Sequence, residues 1–284
     1  MKTRASFFTP LLVLGLAVLL GGCVGFMGQR RCERSSSIAD FLFPKEQQTV
    51  QPSMPLLQLP LRVGVAFVPS ANRYGADFSD YQKEKLLERV SETFRAQKFV
   101  DTLQVIPTTY LRTGGSFDNL DQLKRMMGID VIVLVSYDQL QFTSDNILSL
   151  SYWTIVGAYV VKGNHNDTHT LMEAVVYDIG SRSMLFRAPG VNQTRASATG
   201  VELAEYQRRD SGASLELATD DLIKNLNIAL ENFRTQVKEG RAGVKIEHRA
   251  GYSGGGAADW VLVSLLGLVA AGAMLGRRHT ARLP

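Results

Sequence analysis

The sequence predicts a mixed α/β fold, in which helices pack on a sheet and the elements follow the order β-α-β-α-β-β-β-β-α. Two observations predict it. In the first half, short β-branched runs alternate with segments that carry an apolar stripe at helical spacing. In the second half, longer apolar runs are separated by turn residues, a pattern typical of antiparallel strands. A signal helix is expected before this domain and a transmembrane helix after it.

The first half is predicted to begin with a buried strand at residues 61–68, because a β-branched run there stops at Pro69. Asp80 then opens a helix at 81–99, in which Leu87, Val90 and Phe94 form one apolar stripe. The other elements of this half are a strand at 103–106, a short helix at 120–127 capped by Asn119 and ended by Gly128, and a strongly apolar strand at 131–142.

The second half is predicted to be a meander of strands followed by one long helix. That helix covers residues 214–237, with Leu222, Leu226 and Phe233 on one stripe, and ends at Gly240. Residues typical of turns separate the strands, so we expect successive strands to pair antiparallel. The strands are 148–162, 171–177 and 184–187, and the turns are 163–167 and 178–181.

The net positive charge of the chain comes from its two ends. The formal net charge is +4 over 284 residues. Lys2 and Arg4 place +2 in the first 22 residues, and the tail from Ala257 onward carries another +2, so residues 23–256 have no net charge. Nucleic-acid binding depends on neutralising phosphates with basic side chains. A neutral domain therefore argues against nucleic acid as a partner.

The N-terminus has the pattern of a secretory signal peptide, with a basic start and then an apolar run at 7–20. The run ends in Leu20-Gly21-Gly22-Cys23, which resembles the bacterial lipobox. The resemblance implies cleavage between Gly22 and Cys23 and acylation of Cys23, with palmitate as a typical chain. Since Val24 follows, and not Asp, it also implies sorting to the outer membrane.

The C-terminus has three parts in a fixed order. Gly254, Gly255 and Gly256 precede an apolar stretch at 260–275, and a basic end follows. Sixteen residues of helix span about 24 Å, a short but feasible crossing. This order resembles the GlyGly-CTERM sorting tail, which rhombosortase removes in that family. Together with a lipobox it resembles the rhombotarget lipoproteins, and this implies the acylating enzymes, signal peptidase and type II secretion as partners. A permanent tail anchor is the alternative.

The domain organisation follows from these features. An irregular, Pro- and Ser-containing stretch after Cys23 is interpreted as a tether, and Cys32 within it is expected to be a free thiol or an intermolecular bridge. The divisions are a signal peptide at 1–22, a tether at 23–60, an α/β domain at 61–245, a Gly-rich processing region at 246–256 and a sorting tail at 257–284. The element order is similar to the N-terminal region of TolB and to the curli-secretion lipoproteins.

The sequence carries no nucleotide, hydrolase-elbow or Cys-x-x-Cys motif, and it predicts no cofactor and no enzyme. His165 and His169 lie near a predicted turn, which favours solvated side chains over a weak metal site. Asp220-Asp221 is interpreted as complementing the dipole at the start of the long helix. Tyr152 and Trp153 are either core residues or a binding face.

Three classes of function stay open. The favoured one is an exported, lipid-anchored binding protein of the outer membrane or cell surface. The second is a hydrolase-type enzyme with a site that follows no motif. The third is an oligomeric, curli-secretion-like component in which 148–162 and 171–187 form membrane hairpins, although 155–156 and 160–161 are apolar on both faces, which suits a buried sheet better.

Overall fold

A computed structural model of the chain describes residues 30–44, 52–70, 78–145, 162, 164–199 and 201–249. The described residues form a mixed α/β domain. Its elements are β1 (Arg30–Ser35), α1 (Ile38–Leu42), β2 (Leu56–Leu59), β3 (Leu61–Phe67), α2 (Asp80–Arg95), β4 (Val100–Ile106), a 3-10 turn (Thr108–Tyr110), α3 (Ser116–Met127), β5 (Val131–Asp145), β6 (Asn164–Asp178), β7 (Ser183–Ala198), α4 (Leu203–Lys238) and β8 (Lys245–His248). The predicted signal peptide, the sorting tail and the strand at 148–162 lie outside these ranges.

The main sheet has six strands and mixed direction, which confirms the predicted fold class. Its order is β4-β3-β5-β6-β7, with β1 paired to the far half of β5. β3 runs parallel to β4 and β5, whereas β5, β6 and β7 form an antiparallel meander. β2 and β8 form a separate parallel pair. Within the described ranges, no helix combines the length and the apolar character needed to cross a bilayer.

Two apolar cores cover the two faces of the sheet. α2 and α4 pack on one face through a cluster that contains Leu87, Phe94 and Leu222. α1 and α3 pack on the other face through Phe41, Phe117 and Leu120. Successive right-handed crossovers place α2 and α3 on opposite faces, because β4 lies on one side of β3 and β5 on the other.

Regular structure lies within the described parts of the predicted tether, residues 30–44 and 52–60. β1 pairs antiparallel with β5, from Arg30 opposite Thr143 to Ser35 opposite Asp138. α1 then buries its apolar side chains in the second core. β1 occupies the space beyond the carboxyl end of β3, where open α/β sheets commonly bind ligands. The segment has too few apolar residues to show a clear strand or helix period, so the sequence alone did not distinguish it from a linker. Cys32 lies exposed on β1.

Of the turn predicted at 163–167, residues 164–167 are in fact the start of β6. Asn164 and Asn166 are buried and point toward α4, so both residues belong to a strand and not to a turn. The turn at 178–181 is confirmed, since β6 ends at Asp178 and β7 begins at Ser183. β7 then continues to Ala198, well beyond the predicted 184–187.

α3 begins four residues earlier than predicted, at Ser116, so Asn119 is not its cap. The Asn119 side chain instead accepts a hydrogen bond from the Arg112 backbone N–H at 2.8 Å and donates to the Tyr110 carbonyl at 3.2 Å. It therefore braces the loop that leads into the helix. Gly128 ends the helix in the left-handed region, with φ of 68°, as expected.

The long helix begins at Leu203, whereas the sequence predicts a start near 214. Its first three turns face the sheet through polar side chains. A stripe of buried polar residues has no apolar periodicity, and the sequence pattern therefore missed it. The buried polar layer between α4 and the sheet consists of Gln139, Gln141 and Thr143 of β5, Asn166, Thr168 and Thr170 of β6, and Asp210, Ser211 and Ser214 of α4.

Hydrogen bonds connect the members of the polar layer. The Gln141 amide donates to the Thr168 hydroxyl at 3.2 Å and to the Gln207 carbonyl at 3.0 Å. The Gln207 amide donates in turn to the Thr143 hydroxyl at 2.7 Å. Buried polar groups cost free energy unless they are paired. The layer therefore fixes one register between the helix and the strands.

The Asp220-Asp221 pair lies in the middle of α4, which contradicts its predicted place at the helix start. Asp220 instead forms an ion pair with Arg89 of α2. The Asp221 carboxylate accepts a hydrogen bond from the Val191 backbone N–H at 3.0 Å, and Asn225 donates to the Pro189 carbonyl at 2.9 Å. Both contacts satisfy backbone groups of β7, the edge strand, and so protect that edge from pairing with other chains.

Candidate binding site

The residues that the sequence singled out for processing lie outside the described part of the chain. They are Gly22, Cys23, Gly254, Gly255 and Gly256. Tyr152 and Trp153 also lie outside it. Their predicted roles stay predictions, and the site described next was not expected.

An apolar cavity of about 170 Å³ lies between the sheet, α2 and α4. The strands contribute mainly aliphatic side chains, and each of the two helices contributes one phenylalanine, Phe94 from α2 and Phe233 from α4. The two strands of the β2–β8 pair close the open end. The apolar lining residues are Leu57, Leu59, Leu61, Val63, Phe94, Phe99, Val100, Val131, Val176, Leu185, Phe186, Leu230, Phe233, Val237 and Ile246.

The last turns of α4 form one wall of this cavity. Leu230, Phe233 and Val237 continue the apolar stripe at three- and four-residue spacing, so they face the same side. The Phe233 ring packs against Phe186 of β7, with centroids 5.2 Å apart. This part of the stripe lines the cavity and continues the part of α4 that is buried in the core.

Two basic side chains stand at the mouth of the cavity. Arg234 and Lys238 are one helical turn apart on α4, so they lie on the same side of the helix. The Arg234 guanidinium lies 5.7 Å from the centre of the Phe99 ring and donates a hydrogen bond to the exposed Glu231 carboxylate at 2.6 Å. The arrangement combines an apolar interior with a cationic rim.

A half-buried ion-pair cluster holds the β2–β8 pair in place. Asp130, just before β5, accepts two hydrogen bonds from Arg62 at 2.9 and 3.0 Å. It also accepts one from Arg249, the residue that follows β8. The Arg249 backbone N–H donates to the Leu59 carbonyl at 2.9 Å. Asp130 therefore ties the end of the β2–β8 pair at Leu59 and Arg249 to the main sheet.

The Asp130 cluster makes stability depend on pH. Burial raises the pKa of Asp130, but hydrogen bonds from Arg62 and Arg249 lower it by more, so the folded pKa lies below its usual value. A depressed folded pKa stabilises the protein above the unfolded pKa, about 3.9, and this contribution is lost as pH falls through the folded pKa.

We expect the stability difference between the natural protein and Asp130→Asn to be large near neutral pH and to shrink below about pH 4. Urea unfolding followed by circular dichroism at a series of pH values measures it. Asp118→Asn is the matched control, because Asp118 is 75% exposed and 3.9 Å from its partner Arg182. A difference that stays constant down to low pH would contradict this role for Asp130.

The histidine pair does not form a metal site in the described structure. His165 and His169 both lie on β6 and point to the same exposed face. Residues four apart on a strand are about 13 Å apart, too far to share one ion. His165 hydrogen-bonds Ser197 at 3.0 Å, and His169 packs edge-on against Phe142. In the ranges that the structure describes, no group of three or more His, Cys, Asp or Glu side chains could hold a metal.

Comparison with known proteins leaves the chain without a family. No protein-family model matches it, and no curated protein does either. Two solved structures of the PelC dodecamer from Paraburkholderia phytofirmans, one of them a point variant, are similar to it at 12% identity. They cover 71% and 70% of this chain and 96% of their own, with TM-scores of 0.28 and 0.27.

Sequence reasoning missed the cavity for a physical reason. Phe233 belongs to the predicted apolar stripe of α4, and such a stripe has the same periodicity whether it packs tightly or lines a space. The β2–β8 pairing was not predictable, because its strands have only four residues each and lie far apart in the chain.

Proposed function

We propose that this chain is an exported, lipid-anchored binding protein, whose domain takes an apolar group into the cavity between α2 and α4. The observation that carries the binding role is the cavity itself, which has an almost wholly apolar lining and a cationic mouth. Ligand sites are typically concave and apolar, with a few polar groups that orient the ligand.

The proposed lipid anchoring and tail removal rest on the two ends of the sequence. Cys23 becomes an acylated N-terminus, and several acyl chains on one residue anchor a protein stably. Rhombosortase removes the tail after the run Gly254–256, where glycine disfavours helix by about 1 kcal/mol per residue and keeps the peptide extended. The mature protein is then held at the outer membrane or cell surface by its N-terminus alone.

Intact mass and C-terminal peptide mapping of the protein from native membranes test this processing. A chain that starts at acylated Cys23 and ends within or just after Gly254–256 is the expected result. A chain that still carries residues 260–284 would reject the rhombosortase step. A mature N-terminus other than Cys23 would reject the lipid anchor.

Thiol labelling gives an independent prediction. With Cys23 acylated, Cys32 is the remaining cysteine of the chain, and it is exposed on β1. We expect a maleimide reagent to label the reduced mature protein at one site, and Cys32→Ser to abolish that labelling. Label that persists in Cys32→Ser would show that Cys23 is unmodified. Labelling of the natural protein only after reduction would show that Cys32 forms an intermolecular disulfide.

A further inference from the structure

We propose that the cavity between α2 and α4 binds the hydrocarbon chain of a long-chain fatty acid, with its carboxylate at Arg234 and Lys238. This inference rests on the proposed binding function and names its ligand class. Four features of the cavity support it: size, lining, charge at the mouth and an apolar exit.

The size fits one hydrocarbon chain. An engineered protein cavity of about 150 Å³ with aliphatic and aromatic walls takes up benzene, and the present cavity measures about 170 Å³. It therefore has room for part of one chain and excludes the two chains of a diacyl lipid. The rest of a longer chain must extend out of the cavity past its rim.

The lining selects against polar ligands. Leu57 and Val63 are almost fully buried beside the cavity, and the surrounding strands contribute further aliphatic groups. A polar head placed there would lose its hydration without gaining hydrogen bonds. The head of any amphiphile is therefore kept at the mouth, where the helix carries its charges.

The mouth is suited to a carboxylate. Arg234 is 39% exposed, and its present partner Glu231 is a surface residue three positions earlier on the same helix. Exposed pairs of this kind contribute little, so Arg234 can exchange Glu231 for a ligand at small cost. A guanidinium binds a carboxylate through two parallel hydrogen bonds, and Lys238 adds a second positive charge one turn away.

The exit from the cavity is also apolar. Ile246 of β8 lines the cavity and is 40% exposed, so it presents an aliphatic side chain to solvent at the rim. A hydrocarbon chain that extends out of the cavity would cover it.

The test is photolabelling of the full-length protein in nanodiscs of zwitterionic lipid. The probe is a long-chain fatty acid that carries a diazirine near its tail, and fragment mass spectrometry locates the label. We expect labelled peptides from β2 and from the last turns of α4. Label confined to residues 260–275 would overturn both this inference and the proposed binding of an apolar group.

Matched variants test the position of the chain. Val237→Trp fills the mouth and is expected to reduce labelling of these peptides by about fivefold or more. Ile228→Trp, on the same helix at a position that is 52% exposed, should leave labelling unchanged. Circular dichroism confirms that both variants are folded. Equal labelling of the two variants would place the chain elsewhere and overturn the inference.

A second pair of variants tests the head group. Arg234→Gln combined with Lys238→Gln is expected to reduce fatty-acid labelling about fivefold, and Lys224→Gln on the exposed side of α4 should not. A fatty alcohol with the same chain and diazirine should label the cavity equally in all of them. If the acid and the alcohol label equally and ignore Arg234 and Lys238, apolar binding stands and the carboxylate assignment fails.

Discussion

Gly190→Ala is expected to lower the free energy of unfolding by about 3 kcal/mol, because α4 crosses β7 in direct contact with the backbone there. A β-carbon at Gly190 would lie 2.3 Å from the Ala218 carbonyl oxygen and 2.6 Å from the Leu222 amide nitrogen. These are backbone atoms in the middle of a helix, and they cannot move aside individually. The whole helix must shift away from the sheet.

Gly212→Ala is the matched control, and it is expected to act in the opposite direction. Gly212 also lies on α4, but the nearest atom to its added β-carbon is the Gln82 side-chain nitrogen at 3.8 Å. Alanine in a helix interior is favoured over glycine by up to about 1 kcal/mol. Urea unfolding measures both variants. A Gly190→Ala protein as stable as the natural one would show that α4 does not pack this closely on β7.

Gln139→Leu is expected to destabilise the protein by a similar amount, about 3 kcal/mol, by breaking the polar layer. The Gln139 amide donates to the Thr170 hydroxyl at 2.8 Å and to the Ser211 carbonyl at 3.0 Å. Its oxygen accepts from Arg34 at 3.0 Å and from the Ser211 hydroxyl. Leucine is similar in size but satisfies none of these groups, and each buried group left unpaired costs about 1–3 kcal/mol.

Gln193→Leu serves as the control for Gln139→Leu. This substitution makes the same chemical change on the exposed face of β7, where Gln193 contacts His169 at 3.4 Å. We expect the free energy of unfolding to change by no more than about 0.5 kcal/mol. Urea unfolding again measures the difference. If Gln139→Leu proved neutral, the layer would tolerate an apolar replacement, as some buried polar clusters do, and would not determine the register of α4.

The fold could be predicted from sequence where apolar periodicity decides the structure. The strand expected at 61–68 is observed as Leu61–Phe67, and the helix expected at 81–99 as Asp80–Arg95. Gly128 ends its helix as predicted, with a φ of 68°. In each case the side chains that set the pattern are those that bury in the core.

Prediction failed where buried side chains are polar. The first turns of α4 and the start of β6 bury amides and hydroxyls against one another, and such residues individually favour turns and caps. Asp210 and Asn166 illustrate this, since each is stabilised inside the domain by the other at 3.3 Å. The cavity was missed for a related reason, because its existence depends on the β2–β8 pair and not on any local pattern.

The course of β5 separates the two points at which the chain enters and leaves the domain. Arg30 pairs with Thr143 near one end of β5, while Arg249 contacts Asp130 just before its other end. Thirteen residues of extended strand lie between these contacts, a distance of about 40 Å. The first and last described residues of the chain therefore lie at opposite poles of the molecule.

On the proposed processing, tail removal changes the pole by which the domain is attached. An intact tail at 260–275 would attach it on the side of β8, whose Ile246 lines the cavity. Once the tail is removed, Cys23 would attach it on the side of β1, at the pole away from the cavity.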